Sequence, residues 1–298
     1  MKNSRRKFLR LAGVSALGLG LGAKSALRAN DETVNSNAVA NAESAEAVSA
    51  QTQSAEAVSA HAESAEAISA HAVAEIQQQP LPKTAKQWGM VIDTRRFHSE
   101  NDLKPITEAC IKAHNVPRIN NKLHEIKWIW NEHYESTFTD LKNKYIAENI
   151  KHRSIPVLCN HCEKPSCVKA CPTQATFKRK DGIVLMDFHR CIGCRFCMAA
   201  CPYGARSFNY IDPRGAIAEV DFNREFPTRM IGVVEKCNFC AERIAKGQRP
   251  ACVEASKGAI LFGDLDDENS DVRKALSKNL TIRRKPSLGT EPSVYYIL

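Results

Sequence analysis

The chain has 298 residues, 12 of them cysteine, with 43% hydrophobic residues and a formal charge of +9; this allows one or two domains around an ordinary but not large core. The charge is uneven: the first 30 residues hold seven Lys/Arg and no acid, the stretch from Asp31 to Pro80 holds eight acids and no Lys or Arg, and 35 basic and 25 acidic residues lie beyond it. No aromatic–basic platform accompanies the basic excess, which sets nucleic acid aside as a partner.

The N-terminus reads as an address. Ser4-Arg5-Arg6-Lys7-Phe8-Leu9 is a twin-arginine signal of the Tat system, followed by an apolar stretch from Leu11 to Ala23, then Lys24, Arg28 and a small-residue region around Ala29. The apolar stretch is shorter than the about 20 residues of a spanning helix and is weakened by Gly13, Gly18, Gly20 and Gly22. Residues 1–29 are therefore expected to be a signal peptide that directs the chain to the periplasm. Tat substrates are exported folded, so a cofactor can be inserted in the reducing cytoplasm, and free thiols become compatible with export.

Residues 30–81 read as a low-complexity Ala/Ser/Glu linker. Between residues 41 and 72 a ten-residue period repeats Ser44, Ser54 and Ser64, then Val48, Val58 and Ile68, each of the latter followed by Ser-Ala. Such a segment buries too little apolar area to offset its ordering entropy, and a ten-residue period does not fit coiled-coil heptads. The folded domain is expected over 82–298. No further stretch is apolar enough to span a bilayer, so membrane attachment is expected only through a partner.

Within that domain the cysteines fall into runs. The first is Cys159-x2-Cys162-x4-Cys167-x3-Cys171-Pro172, and the second is Cys191-x2-Cys194-x2-Cys197-x3-Cys201-Pro202. The second has the ferredoxin spacing. Three closely spaced cysteines let one loop wrap three corners of an iron–sulfur cube, and the fourth, after three more residues, reaches the neighbouring cluster. The expected ligand sets are thus reciprocal: Cys159, Cys162, Cys167 and Cys201 for one cluster, and Cys191, Cys194, Cys197 and Cys171 for a second. Zinc ribbons use two Cys pairs with longer separations and do not end in Cys-Pro. Cys237-x2-Cys240 and Cys252 form three of a further four-member run, whose last position is Ser256. Cys110 stands alone; a solitary cysteine is ordinarily a small buried hydrophobe, but three ligands and one orphan make four. The third expected set is Cys237, Cys240, Cys252 and Cys110, giving three 4Fe–4S clusters.

With these runs in view, the chain resembles the four-cluster ferredoxin-like subunits of membrane-associated oxidoreductases, and in particular the periplasmic iron–sulfur subunit (DsrO-like) of the sulfite-reductase-associated membrane complex. The likeness spans about residue 86 to the C-terminus. It rests on the Tat signal, Trp88-Gly89-Met90-Val91-Ile92-Asp93, Leu158-Cys159-Asn160-His161-Cys162, Cys191-Ile192-Gly193-Cys194-Arg195-Phe196-Cys197, Glu235-Lys236-Cys237-Asn238-Phe239-Cys240 and the Leu288-Gly289-Thr290 to Tyr295-Tyr296 tail. The linking segment from His124 to Trp130 adds weaker support. One departure is informative. Where the family carries the first three cysteines of its first run, this chain offers Phe97, Glu100 and Leu103, or Glu100, Leu103 and Ile106, and Ser256 stands for the last cysteine of the fourth run. In the paired scheme these four positions serve a single cluster, so the resemblance implies that one whole cluster site has gone.

The expected fold is α+β, a loop-rich double ferredoxin-like iron–sulfur domain. Strands are expected at 88–92, 183–187 and 259–262, a surface helix from Glu268 to Lys278 with Val272, Ala275 and Leu276 at helical spacing, and short helices carrying the last cysteine of each run. His161 is expected to serve its loop rather than ligate, His98 to be exposed or packed, and Trp88, Trp128 and Trp130 to be core or interface residues. No paired carboxylates, nucleophile elbow or phosphate loop is present at a working spacing, so no catalytic residue is assigned. The resemblance implies a non-catalytic electron-transfer subunit that links an integral-membrane quinone-interacting subunit to a multihaem cytochrome c or reductase subunit, in sulfur respiration. The alternative is the iron–sulfur subunit of a tetrathionate, polysulfide or nitrite reductase or of a hydrogenase. The Tat reading has a direct test: replacing Arg5 and Arg6 by Lys is expected to hold the holoprotein in the cytoplasmic fraction, and continued appearance outside the inner membrane rejects it.

Overall fold

A computed structural model describes residues 81–298 apart from Lys83, Lys142, Val220 and Asp221; the signal and linker readings lie outside the described residues. The domain is a mixture of short helices and four small sheets among those residues. In chain order the strands are β1 (Trp88–Asp93), β2 (Ile129–His133), β3 (Ser154–Leu158), β4 (Thr176–Lys178), β5 (Val184–Met186), β6 (Ser207–Phe208), β7 (Val234–Glu235), β8 (Ile260–Asp264), β9 (Thr281–Ile282) and β10 (Val294–Ile297).

The largest sheet has the order β8-β1-β10-β9. Its centre, β1, pairs antiparallel with β8 (Met90 opposite Phe262) and parallel with β10 (Ile92 opposite Tyr296). Alternate residues therefore serve two layers. Trp88, Met90, Ile92, Ile260, Phe262, Val294 and Tyr296 face the main core, which also holds Cys110, Cys159, Cys237 and Cys252. Val91 and Ile297 face the other way, under Val272 and Ala275 of the helix Asp271–Lys278. That helix begins three residues later than the sequence pattern suggests. Ser270 caps it, accepting a hydrogen bond from the Arg273 amide at 3.3 Å, so Glu268 and Asn269 stay in the turn before it.

The remaining sheets are two-stranded hairpin-like pairs: β2 with β3, β4 with β5, and β6 with β7. The predicted strands at 183–187 and 259–262 appear as β5 and β8. Strands β2, β3 and β10 have no counterpart among the predicted elements: β3 contains Pro156, which faces Asn131 in an edge pairing. The segment leading into β10 closes over the first cysteine loop. Ser293 N–H donates to Asn160 O at 2.9 Å, Glu163 N–H to Glu291 O at 2.8 Å, and the Tyr203 and Thr290 hydroxyls are hydrogen-bonded. The C-terminal strand thus ties the main sheet to the loops around the cysteines.

The main core makes a simple prediction. Ile92, fully buried at the centre of β1, costs about 2–5 kcal/mol when truncated to Ala, whereas Leu123→Ala, on a side chain 82% exposed, stays within about 0.5 kcal/mol. Urea-denaturation midpoints of the anaerobically prepared protein measure both.

Candidate metal centres

The cysteine loops are built by strands that end at them and by helices too short to carry them further. All five residues of β3 are buried, and the strand delivers Cys159 directly to the core. The chain then turns through His161, at φ 41°, to Cys162. Cys167 lies in the helix Ser166–Lys169, Cys197 in Phe196–Ala199 and Cys252 in Ala251–Ala255. The expectation that short helices carry the last cysteine of each run needs correction: the third cysteine is helical, and Cys171 and Cys201 follow the caps Ala170 and Ala200. The reason is local, because a residue before proline is pushed out of the α region, and Pro172 and Pro202 stop each helix there. Cys110 has no proline after it and lies inside the long helix Glu100–His114.

Left-handed residues mark the loops. Besides His161, they are Gly193 and Arg195 in the second run, and Phe239 and Cys240 in the last. Such conformations cost a non-glycine residue about 1–2 kcal/mol and turn successive amide N–H groups to one side, which suits an anionic centre. At Gly193 a side chain is also excluded on space, since a Cβ would lie 2.5 Å from Gly232 O.

None of the twelve cysteines is in a disulfide. They gather into three neighbourhoods. Cys171, Cys191, Cys194 and Cys197 line one small pocket with Met186 and Val234. Burial and the neighbouring Cys159, Cys167 and Cys201 push the Cys162 thiol up to about 12. Burial, Cys252, Cys110 and Cys237 hold the Cys240 thiol far above its usual range, and burial, Cys237 and Cys252 do the same to Cys110. Cys110, expected to join this group, is beside it, although it lies 127 positions before Cys237. The neighbourhoods adjoin in series: Cys237 is raised by burial and then by Cys159, and Cys197 by burial and by Cys167. Ser256 Oγ donates to Val253 O at 2.7 Å and accepts from Ile260 N–H at 3.0 Å. Phe97, Leu103 and Ile106 are buried core residues and Glu100 is exposed.

Thiols raised by burial and by each other are poor nucleophiles, which need the opposite shift. They are suitable metal ligands, because a cationic core displaces their protons and offsets the burial penalty. Amide donors already point at several sulfurs: Phe239 N–H lies 3.5 Å from Cys237 Sγ and Ala251 N–H 3.4 Å from Cys240 Sγ. At Cys171, burial is outweighed by hydrogen bonds from the Thr176, Thr173 and Ala175 backbone and the Thr173 side chain, and the thiol falls below its usual value. The donor set, all thiolate and in groups of four, fits iron–sulfur clusters.

Comparisons with known proteins agree with this chemistry. Residues 150–215, which hold the eight cysteines from Cys159 to Cys201, match the 4Fe-4S dicluster domain family. The chain is 43% identical over 232 residues to Hdr-like menaquinol oxidoreductase iron-sulfur subunit 1 of Archaeoglobus fulgidus, covering 71% of this chain and 83% of the relative. It is 38% identical over 242 residues to the arsenate respiratory reductase iron-sulfur subunit of a Shewanella species, covering 70% and 95%. It is 34% identical over 235 residues to the menaquinone reductase iron-sulfur cluster-binding subunit of Nitratidesulfovibrio vulgaris, covering 71% and 88%. This protein belongs to the family of oxidoreductase iron–sulfur subunits. No helix among the described residues is long and apolar enough to cross a membrane.

Around the thiols, the iron–sulfur subunit places polar residues that spacing does not reveal. His114, one turn after Cys110, sits with Nδ1 3.0 Å from Cys110 O and Nε2 2.8 Å from Glu242 Oε1, stacked on Trp128. His114, Cys240 and Glu242 offer ligand atoms within 4.8 Å of one another. His161 is fully buried, accepts from Val184 N–H at 3.1 Å and stacks on Phe239 at 3.6 Å, so it serves the loops. His98 is exposed, Trp88 and Trp128 are core residues, and Trp130 is half-buried. Arg229 and Glu235 form a fully buried ion pair at 2.7 Å, with Arg229 also donating to His114 O and Asn115 O, and Glu235 accepting from Trp128 Nε1 and Asn209 Nδ2. Nothing in the local sequence announces this pair, whose members are six residues apart but reach across to the Cys110 helix. Glu235→Gln keeps the shape and leaves Arg229 uncompensated, and is expected to destabilise the protein by about 3–5 kcal/mol. A thermal-unfolding midpoint within error of the parent rejects that role.

Proposed function

We propose that this chain is a non-catalytic electron-relay subunit that holds three 4Fe–4S clusters on a double ferredoxin-like domain. The observation that carries the reading is the serial arrangement of its twelve cysteines, none of them in a disulfide. Cys110, Cys237, Cys240 and Cys252 would hold the cluster at one end. Cys159, Cys162, Cys167 and Cys201 would hold the middle one, and Cys171, Cys191, Cys194 and Cys197 the last. Bound clusters supply reversible one-electron exchange. The protein's own part is to supply four thiolates to each, to aim amide N–H groups at them, and to keep water from the two inner sets. At the outer end Cys194 is exposed, beside exposed Ile192 and Phe196, and this end opens to a partner. At the positions of the family's fourth site, Phe97, Leu103 and Ile106 are buried, Glu100 is exposed and Ser256 is hydrogen-bonded to the backbone; the lack of any thiol there supports the loss of one whole cluster rather than two half-sites.

The partners follow from the relatives. Two are named for menaquinol or menaquinone chemistry, which supports an integral-membrane quinone-interacting subunit at one end. A multihaem cytochrome c or a reductase subunit is proposed at the other, in the periplasm after Tat export, in a DsrO-like role in sulfur respiration. A tetrathionate, polysulfide or nitrite reductase or a hydrogenase is the other setting for the same relay; two relatives at 39% identity are named as components of a tetrathionate reductase and of a polysulfide reductase.

Iron and acid-labile sulfide analysis of anaerobically purified protein is expected to give twelve of each per chain; eight or sixteen irons, or stoichiometric zinc at the His114–Cys240–Glu242 cluster, rejects the reading. Cys110→Ala is expected to remove or convert one cluster and Ser256→Ala to leave all three. An intact Cys110 variant with a cluster lost from the Ser256 variant, read by iron content and electron paramagnetic resonance, rejects the assignment of Cys110.

A further inference from the structure

A buried cation needs an anion beside it, because a charge in a low-dielectric interior that is left unpaired costs several kcal/mol. The domain buries several. Arg229 has Glu235 and Arg249 has Asp271 at 3.5 Å. Lys236 donates to Val184 O and Cys237 O and Arg284 to Thr137 O, whereas Arg206 has neither a carboxylate nor a carbonyl partner among the described residues. It is 5% exposed and follows Cys201 by five residues, in Cys201-Pro202-Tyr203-Gly204-Ala205-Arg206. Nη1 donates to the neutral Thr176 Oγ1 at 3.0 Å and meets Met186 Sδ at 3.1 Å; Nη2 has no hydrogen-bond partner among the described residues. No carboxylate among those residues pairs with it. Met186, which Nη1 meets, packs with Cys167 and Cys197, one from each of two cysteine sets, and the guanidinium lies near enough to Cys167, Cys197 and Cys159 for their charges to act on it. Met186, which it touches, lines the cavity of Cys171, Cys191, Cys194 and Cys197. The guanidinium therefore sits at the boundary of two cysteine sets, drawing on Cys159 and Cys167 of one and on Cys197 of the other.

We infer that Arg206 is a positioning charge shared by these two adjacent sets, and that it raises the reduction potential of the clusters bound at both. The inference rests on the three-cluster reading. Reduction of a cluster adds one electron from the donor and breaks no bond, so the reduced form is more negative by one charge. A fixed cation nearby favours that form, and its effect is larger in the interior than in water. The strongest charges acting on Arg206 all belong to the other two sets, so the cluster of the Cys110 set is expected to keep its potential when Arg206 is changed. Arginine also suits the place sterically, since its planar fork reaches Thr176 and the sulfurs together and cannot lose its proton.

The test is a dithionite potentiometric titration of the full-length holoprotein, followed by electron paramagnetic resonance. Arg206→Gln is expected to shift the reduction equilibrium of two clusters at least tenfold toward the oxidised form, about 59 mV for one electron, with the third unmoved. Arg206→Lys, which keeps the charge, is expected to shift them less. Unmoved potentials in Arg206→Gln, equal shifts at all three clusters, or the same shift in Arg206→Lys as in Arg206→Gln overturn the inference. If Arg206→Gln loses iron, Thr176→Val takes its place: it frees Nη1 while keeping the charge, a smaller downward shift at the same two clusters is expected, and no shift overturns the inference. Fewer than twelve irons in the parent protein would fail the three-cluster reading, whereas twelve irons with unmoved potentials fail only the role of Arg206.

Discussion

The burial of thiols beside one another is the constraint around which this domain is arranged. Taken from water and crowded among other cysteines, Cys110, Cys162 and Cys240 hold their protons more tightly than a free thiol does, so the domain stores a demand for positive charge there. The rest of the local architecture answers that demand. Left-handed residues turn amide N–H groups inward at each loop, prolines stop the short helices after the third cysteine of the first two runs, and buried cations stand where carboxylates are absent. The apolar core is organised on one side of this chemistry, with the β1 layer packed against the inner cysteines and sealed behind by a single amphipathic helix.

The same physics explains the asymmetry of the domain. At one end, Cys194 and its apolar neighbours meet solvent; at the other, Cys110, Cys237, Cys240 and Cys252 are buried. Phe97, Leu103 and Ile106 share the main core with Cys110 and Cys252, and Ser256 turns its hydroxyl to the backbone at both sides, as a buried polar group must. Aromatic packing and the Arg229–Glu235 pair hold the long helix that carries Cys110 against the segment carrying Cys237 and Cys240, so the most distant pair in sequence is fixed by side chains that are not themselves ligands.

The cysteine spacing is local information, and it can be read without a structure. Two runs ending in Cys-Pro point to iron–sulfur ligation because one loop can wrap only a few corners of a cluster. Strand β1, strand β8 and the helix Asp271–Lys278 are legible for a related reason: the strands are short apolar runs buried on both faces, and the helix's apolar periodicity reflects burial on one side. The start of that helix departs from its periodicity because capping by Ser270 outweighs the propensity of Glu268. The short helices hold the third cysteine rather than the fourth because proline acts on the residue before it, an effect that spacing alone does not express. Strands β2 and β3 leave no mark in the sequence, since β3 contains a proline and neither alternates cleanly.

By itself the sequence determined the chemistry: which residue types are present, at what spacing, and hence that thiolate-bound iron–sulfur centres are the fitting cofactor. Tertiary structure alone decided which groups adjoin and what surrounds them. His114 reaching Glu242, Arg229 meeting Glu235 beneath Trp128, and Arg206 standing at the boundary of two cysteine neighbourhoods all depend on segments brought together from distant parts of the chain. A buried charge has no periodicity and no spacing rule; its partner is chosen by desolvation in the folded interior, and that becomes visible only once the interior exists.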